Sequence, residues 1–343
     1  MSPLRMRSRC LLAAVAILSI PVLSACTSSH TGSSAKSITW YTSMQAEDAQ
    51  PIMDAFTKQT GTKVSLYTAA TPTVWQRLQQ EESSGRHTAD VFTITDDSII
   101  QSAINSKYIA KLPAGAASGY PTEYVDPNGY WLSLRVTIIG IVYNTKIVTG
   151  ANVPTTWADL AKPYFKGKLN VTDPQLTTTG YFADWQVGHA PGLGQSFLTS
   201  LGAQKPAILA HSGQQVNDVI SGDSYAAITS DDAVWPQIQT GAPIKMVYPS
   251  GGVANYADYT GVVADAPNAA GANAFVKFLS TPTAGNLIAK TGAYSPVPGV
   301  DAQPSGRPPL SSLTLFPPDM LNALSSKTSY LATLKQLGLA TTS

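Results

Sequence analysis

The stretch ITWYTSMQAEDAQPIMDAFTKQTGTKVSLY, residues 38 to 67, decides how the chain is read. Its opening, ITWYTS (Ile38 to Ser43), is a short apolar strand. PIMDAFTKQT (Pro51 to Thr60) then places Ile52, Met53 and Phe56 on one helical face and stops at Gly61. VSLY (Val64 to Tyr67) is a second strand, and a helix from Trp75 to Glu82 leads to a third, ADVFTI (Ala89 to Ile94). Strands alternating with helices predict an α/β fold: a mostly parallel sheet with helices on both faces.

In such sheets a ligand sits beyond the carboxyl ends of the strands. The residues that follow each strand are therefore candidates: Thr42, Ser43, Met44 and Gln45 after the first, Thr95, Asp96 and Asp97 after the third. Ser230, Asp231 and Asp232 follow a further strand, Ala226 to Thr229.

Farther along, VTIIGIVYN (Val136 to Asn144) reads as a crossing into a second lobe, which contains a helix at Trp157 to Ala161 and a strand at Lys168 to Val171. A strand near Lys245 to Tyr248 and the loop PSGGVANYADY lead back, before a helix at Ala269 to Leu279 and a Pro-rich segment, Ser305 to Pro318. The expected organisation is residues 38–141 plus 254–343 as lobe 1 and 142–253 as lobe 2. Two crossings imply an interlobe cleft that can close.

Arg5, Arg7 and Arg9 precede an apolar run from Leu11 to Val22, the pattern of a secretory signal over residues 1–25 and too short to span a bilayer as a mature helix. LSAC (Leu23 to Cys26) resembles the bacterial lipobox, which implies lipid on Cys26 and attachment to the extracytoplasmic face of the cell membrane. Residues 26–37 are small and polar, a flexible tether. With Cys10 and Cys26 as its two cysteines the mature domain forms no internal disulfide, so burial must stabilise it. A net charge of +1, from 22 Lys plus Arg against 21 Asp plus Glu, gives no footing for nucleic acid.

Catalysis finds little support. The chain has 4 histidines and no HExxH, nucleophile elbow or phosphate-binding loop. His211 and Ser212 are adjacent, and adjacent side chains of an extended chain point apart. The expectation is a binding protein, not an enzyme, without cofactor or resident metal, acting as a monomer.

ITWYTS, AFTKQTGTKV, ADVF, IIGIVYN, TTWADLAKPYFKGKLNVTDP, TGAPIKMVYPSGG, APNAAGANAFVKFLSTPTAG and YSPVPGV occur in that order between Ile38 and Val300. Together they resemble the solute-binding proteins of ABC importers, in the group that includes ferric-iron, polyamine and 2-aminoethylphosphonate binders. The resemblance implies a type II periplasmic-binding-protein fold, with two lobes clamping a small-molecule solute, and an ABC permease with its ATPase as partners. A ligand sensor for a membrane receptor is the alternative this sequence does not separate.

The iron group keeps two adjacent tyrosines where this chain has Asp232 and Ala233, and some members a histidine where it has Gln45. Tyr256 and Tyr259 are phenols that could replace them. The resemblance also places Thr178, Thr179 and Gly180, with Ser212 and Ser230, where the iron group touches an anion; a plain helix cap is the equal reading for the threonines. Adjacent acids in a closed cleft need a cation, donors or a bound proton, which a ligand ammonium supplies. Trp40, Tyr41 and Trp235 could add aromatic faces. Of Asp231 and Asp232, alternation sends one into the cleft and the other to a cap or the surface. The resemblance puts an acid of the polyamine binders in the segment YADY, where Asp258 lies within a residue of register, and Arg135 is placed either to pair with a ligand anion or to brace carboxylates at the hinge. An amine-bearing or zwitterionic solute such as an aminophosphonate uses both halves; ferric iron and polyamines are the alternatives.

Overall fold

The computed structural model describes residues 37 to 342, Gln303 and Pro318 excepted, and the backbone alone at Asp97, Thr178, Thr179 and Met320. The signal segment, Cys26 and all of the tether but Ser37 lie outside the described residues. Ser37, taken in sequence as the end of the tether, already belongs to the first strand.

The first third alternates as expected: β1 (Ser37–Thr42), α1 (Ala46–Thr60), β2 (Lys63–Thr68), α2 (Thr71–Ser84), β3 (Val91–Ile94), α3 (Asp97–Asn105) and the short β4 (Ile109–Ala110). Helix α1 starts five residues before Pro51, which sits inside it, and ends at Gly61 in the left-handed conformation. Strand β5 (Leu132–Asn144) follows, then β6 (Leu169–Thr172), α4 (Thr178–His189), α5 (Gly194–Ala203), β7 (Ala207–Leu209), α6 (Ser212–Ser221), β8 (Ala226–Ser230), α7 (Asp231–Gln239) and β9 (Ile244–Val247). The return is β10 (Ala254–Val263), after which come α8 (Ala269–Leu279), α9 (Pro282–Lys290), α10 (Met320–Ser325) and α11 (Lys327–Gln336). The segment VANYADY, expected as loop, is thus mostly strand, with side chains alternating between two faces.

All ten strands join one sheet in the order β2-β1-β3-β10-β5-β8-β6-β7, with β4 on β10 and β9 on β5. The outer strands are parallel to their neighbours, whereas β5 and β10 run antiparallel to each other and to β8 and β3. Strand β5 changes partner near its middle: Leu132 to Ile139 pair with β10, and Ile139 to Tyr143 pair with β8.

That change of partner separates two hydrophobic cores. One holds the side chains of β1 to β5 as far as Ile138 together with Val253 to Val297, with Trp40 and Phe56 set edge-on against Phe275. The other holds residues from Ile139 to Ala254 and is centred on Tyr181, Trp185 and Leu198. A smaller cluster under α6 and α7 buries Val142, Val219 and Val234.

The C-terminal residues expected in lobe 1 divide between the cores: Leu310, Leu313 and Leu315 pack against the first. Phe316, Ala323, Tyr330, Leu334, Leu339 and Ala340 are packed in the second core, where Tyr330 lies edge-on to Trp185 and donates to the Asp184 carbonyl. Helix α11 turns Tyr330 and Leu334 into this core, and Tyr330 sits there edge-on to Tyr181 as well as to Trp185.

Candidate functional site

Where β5 and β10 cross between the cores, their facing residues form a polar floor. Asp258 lies opposite Arg135 and Tyr256 opposite Thr137 in the antiparallel register, so these four side chains share one face. Arg135 Nε donates to Asp258 Oδ2 at 2.6 Å, and its Nη1 is 3.7 Å from Asp48 Oδ2 on the first turns of α1. Thr95 donates to the other oxygen of Asp258 at 2.9 Å and pairs with Ser43 at 3.1 Å, which ties the ends of β1 and β3 to this floor. Asp232, on the first turn of α7, adds its charge to the same group, since it acts on Arg135, Tyr256 and Asp48.

Asp258 and Asp48 therefore flank the guanidinium, and the charge of Asp232 acts on it from α7. Burial alone would weaken the charged form of Arg135, but Asp258, Tyr256 and Asp232 hold it above its ordinary value. Asp48 is pushed up by burial, pulled back by Arg135, and raised again by Glu47, Asp232 and Asp258. Burial, with Asp232 close by, also lifts the Tyr256 hydroxyl well beyond the usual phenol range. Asp258 is consumed by Arg135 and Thr95. Asp48 keeps 29 % of its side chain exposed, and the half-buried Asp232 carboxylate makes no hydrogen bond among the described residues.

Asp231 requires a correction. It is not a cleft ligand, a cap or a surface group: its carboxylate and the Arg307 guanidinium form an ion pair with both side chains 0 % exposed. Oδ1 accepts the Ile138 amide at 3.2 Å, where β5 changes partner, and Tyr248 donates to Oδ2 at 3.2 Å. Burial raises the Asp231 carboxyl to about 7 against the pull of Arg307. Arg307 lies over the Tyr294 ring at 4.0 Å from its centroid.

Other predicted residues are also engaged. Thr42 is fully buried and accepts the Met44 amide. Asp96 is the N-cap of α3, accepting from the Ser98 and Ile99 amides, and so is held by the backbone. Tyr259 is buried edge-on against Trp131. Trp40 and Tyr41 are buried in the first core, which removes them as cleft walls, while Trp235 donates to Tyr248 in the Asp231 network.

Gln45 is exposed at the head of α1. Thr177 caps α4 by accepting the Gly180 amide at 3.0 Å, as the cap reading expected, and the side chains of Thr178 and Thr179 are outside the description. Ser212 and Ser230 are joined at 3.2 Å. With Gly180 and the buried Asp184 they line a cavity of about 10 Å³, about the space of one water molecule. Burial, with Asp173 beside it, holds the Asp184 carboxyl well above its usual range.

A far larger cavity, about 1250 Å³, has walls from Tyr124, Trp131, Val297, Leu310 and Phe316 and shares only Tyr256 and Tyr259 with the predicted set. It holds none of the acids of the floor, so convergent charge rather than volume selects the candidate site. Thr95, a candidate from its place after the third strand, takes part as expected, whereas Asp48 and Arg307 complete these networks without having been singled out. Starting α1 at Ala46 places Asp48 one turn from Gln45; Arg307, 76 residues from Asp231, has no local signal.

A family model described as bacterial extracellular solute-binding protein matches residues 86–317. The chain is 29% identical over 200 residues to a putative 2-aminoethylphosphonate-binding periplasmic protein of Salmonella paratyphi A, covering 57% of this chain and 57% of that relative's length. It is 24% identical over 290 residues to a spermidine/putrescine-binding periplasmic protein of Escherichia coli, covering 78% of this chain and 79% of the relative. Iron-bound HitA from Pseudomonas aeruginosa has the same fold, with a TM-score of 0.73 at 20% identity over 88% of this chain and 99% of that one. The architecture is accordingly the two-lobed α/β type II binding-protein fold with a curled sheet. These relatives are binding proteins, and among the described residues no helix is long and apolar enough to cross a membrane.

Proposed function

We propose, from the premise that this chain belongs to the family of bacterial extracellular solute-binding proteins, that it captures a small amine-bearing or zwitterionic solute between its lobes. The loaded, closed form then delivers the solute to an ABC permease driven by its ATPase. The lobes are the segments on either side of the β5 and β10 crossings, with the C-terminal helices on the second. Lipid on Cys26 holds the monomer at the outer face of the cell membrane.

One observation carries the solute class. Of the three acids acting on Arg135, Asp258 is used up by the protein, while Asp232 and Asp48 are left to accept from a ligand. An ammonium meets that need, each charge-assisted hydrogen bond contributing about 1.5–3 kcal/mol. An aminophosphonate agrees with the relative described as a putative 2-aminoethylphosphonate-binding protein. A polyamine is the second reading, favoured by the two remaining acids, Asp232 and Asp48, and by the spermidine/putrescine-binding relative. Ferric iron fits less well, since Asp232 and Ala233 occupy the positions of the iron group's two tyrosines.

Closure follows from mass action, because a solute that bridges both lobes stabilises only the closed state. The test is a thermal-shift screen against 2-aminoethylphosphonate, spermidine, putrescine and ferric citrate, followed by calorimetry. A solute at a thousand times its Kd adds about 4 kcal/mol of stability. Asp232→Ala is expected to weaken the amine at least tenfold, equivalent to about 1.4 kcal/mol. Unchanged affinity in a folded variant removes Asp232 from the site, and ferric citrate binding with no response to amines overturns the amine reading.

A further inference from the structure

At the other end of lobe 1 three ligating groups converge. Glu82 lies in the last turn of α2, His87 in the loop entering β3, and Asp265 in the turn leaving β10. One donor atom from each lies within 4.8 Å of the other two. The cleft residues follow the carboxyl end of β3, whereas His87 precedes its amino end, so the two sites sit at opposite ends of the strands.

We infer that Glu82, His87 and Asp265 form a site for a divalent transition-metal ion of the zinc class, separate from the solute cleft. The Glu82 side chain is only 9 % exposed, and its Oε1, buried and aimed at His87 Nδ1, has no hydrogen-bond partner among the described residues. His87 Nδ1 is likewise buried without one. The two atoms are 3.4 Å apart, longer than the roughly 2.7–2.9 Å of a charge-assisted hydrogen bond. It is close to the edge of a tetrahedron with metal bonds of about 2.0–2.1 Å, roughly 3.3–3.4 Å. Two carboxylates and an imidazole are hard and borderline donors that suit Zn²⁺, and the exposed Asp265 leaves a side open for water.

The scaffold is held in advance. Glu81 Oε2 accepts the Thr88 and Ala89 amides at 3.0 and 3.2 Å, and Gly85 ends α2 in the left-handed conformation, which fixes the loop bearing His87. On the other side Ala264 donates to the Tyr108 carbonyl at 2.9 Å and Ala266 to that of Val263 at 3.3 Å, which fixes the turn bearing Asp265. A bound ion would clamp the α2–β3 loop to the end of β10.

The experiment titrates zinc chloride into the full chain with its cysteines alkylated, read by calorimetry and by the imidazole nitrogen shifts of histidine. One ion is expected to bind and to move the His87 Nδ1 resonance. Affinity should fall at least tenfold in His87→Ala and in Glu82→Gln and stay unchanged in His211→Ala, with amine binding in the cleft unaffected by any of them. A plain Glu82–His87 ion pair, seen as no zinc-dependent shift at His87, overturns the inference. So does zinc binding of equal strength in a folded His87→Ala variant.

Discussion

Replacing Arg307 with methionine removes the cation from the buried pair at the hinge and leaves Asp231 facing two neutral donors, the Ile138 amide and the Tyr248 hydroxyl. Both members of the pair are fully buried, and removing one partner of such a pair costs about 3–5 kcal/mol because the other charge is stranded. The lost stacking on Tyr294, whose ring centroid is 4.0 Å from the guanidinium, adds about 0.5–2 kcal/mol. The carboxyl stands at about 7 with the arginine in place, so without it the native state binds a proton more firmly still. A group whose native pKa is raised favours the native state at low pH and loses that advantage as pH climbs. The deficit of Arg307→Met should therefore widen from pH 5 to pH 8. Near neutrality it amounts to a fall in Tm of about 5–10 °C. Thermal and urea denaturation of Arg307→Met, Asp231→Asn and the double variant close the cycle, and the double should lose less than the sum of the singles by at least about 1 kcal/mol. Additive losses with no pH dependence would refute the ion pair as the hinge contact.

Asp184, buried with Oδ2 unpartnered and its carboxyl held up by burial and by Asp173, keeps a proton that the unfolded chain gives up above about pH 4. Asp184→Asn should gain stability over the native sequence as pH rises from there, and superimposable Tm–pH curves would contradict this. Asp159 behaves oppositely: its carboxyl, though burial works the other way, is pulled down by Lys162 and by the Thr155 and Thr156 amides, so its contribution is present above about pH 4 and lost in acid. Asp159→Asn should cost roughly 1 kcal/mol at pH 7 through the broken capping box, a deficit that fades on acidification; a constant deficit argues against it. At Gly140 an added Cβ would lie 2.5 Å from the Val247 carbonyl oxygen, so Gly140→Ala should destabilise by about 1–3 kcal/mol, and an unchanged urea midpoint would show that β9 can move aside.

The alternation of strand and helix through residue 94 was legible because α1 and α2 each bury one face between strands, and so was the strand at Val136 to Asn144, a mostly apolar run broken by Thr137 and Gly140. Less legible was VANYADY: Tyr256 and Asp258 face the floor while Asn255 turns the other way to Gln186 and Phe316, and polarity in a strand mimics a loop when the partner strand is unknown. Asp231 and Asp232 look alike as neighbours, and only the distant Arg307 distinguishes them. Helix α1 was started too late, because Pro51 resembles a first-turn residue although the chain tolerates it farther in. Its earlier start is what brings Asp48 to the floor.

The change of partner along β5 also sets an order of assembly. Strand β3 must pair with β10, and the Thr93 and Thr260 hydroxyls that meet between them are 167 residues apart. The first three strands therefore wait, with one edge open, until the second core has been threaded and the chain has come back. Contacts of such separation slow folding, so the β10 side of β3 stays unpaired until residues 254–263 have emerged.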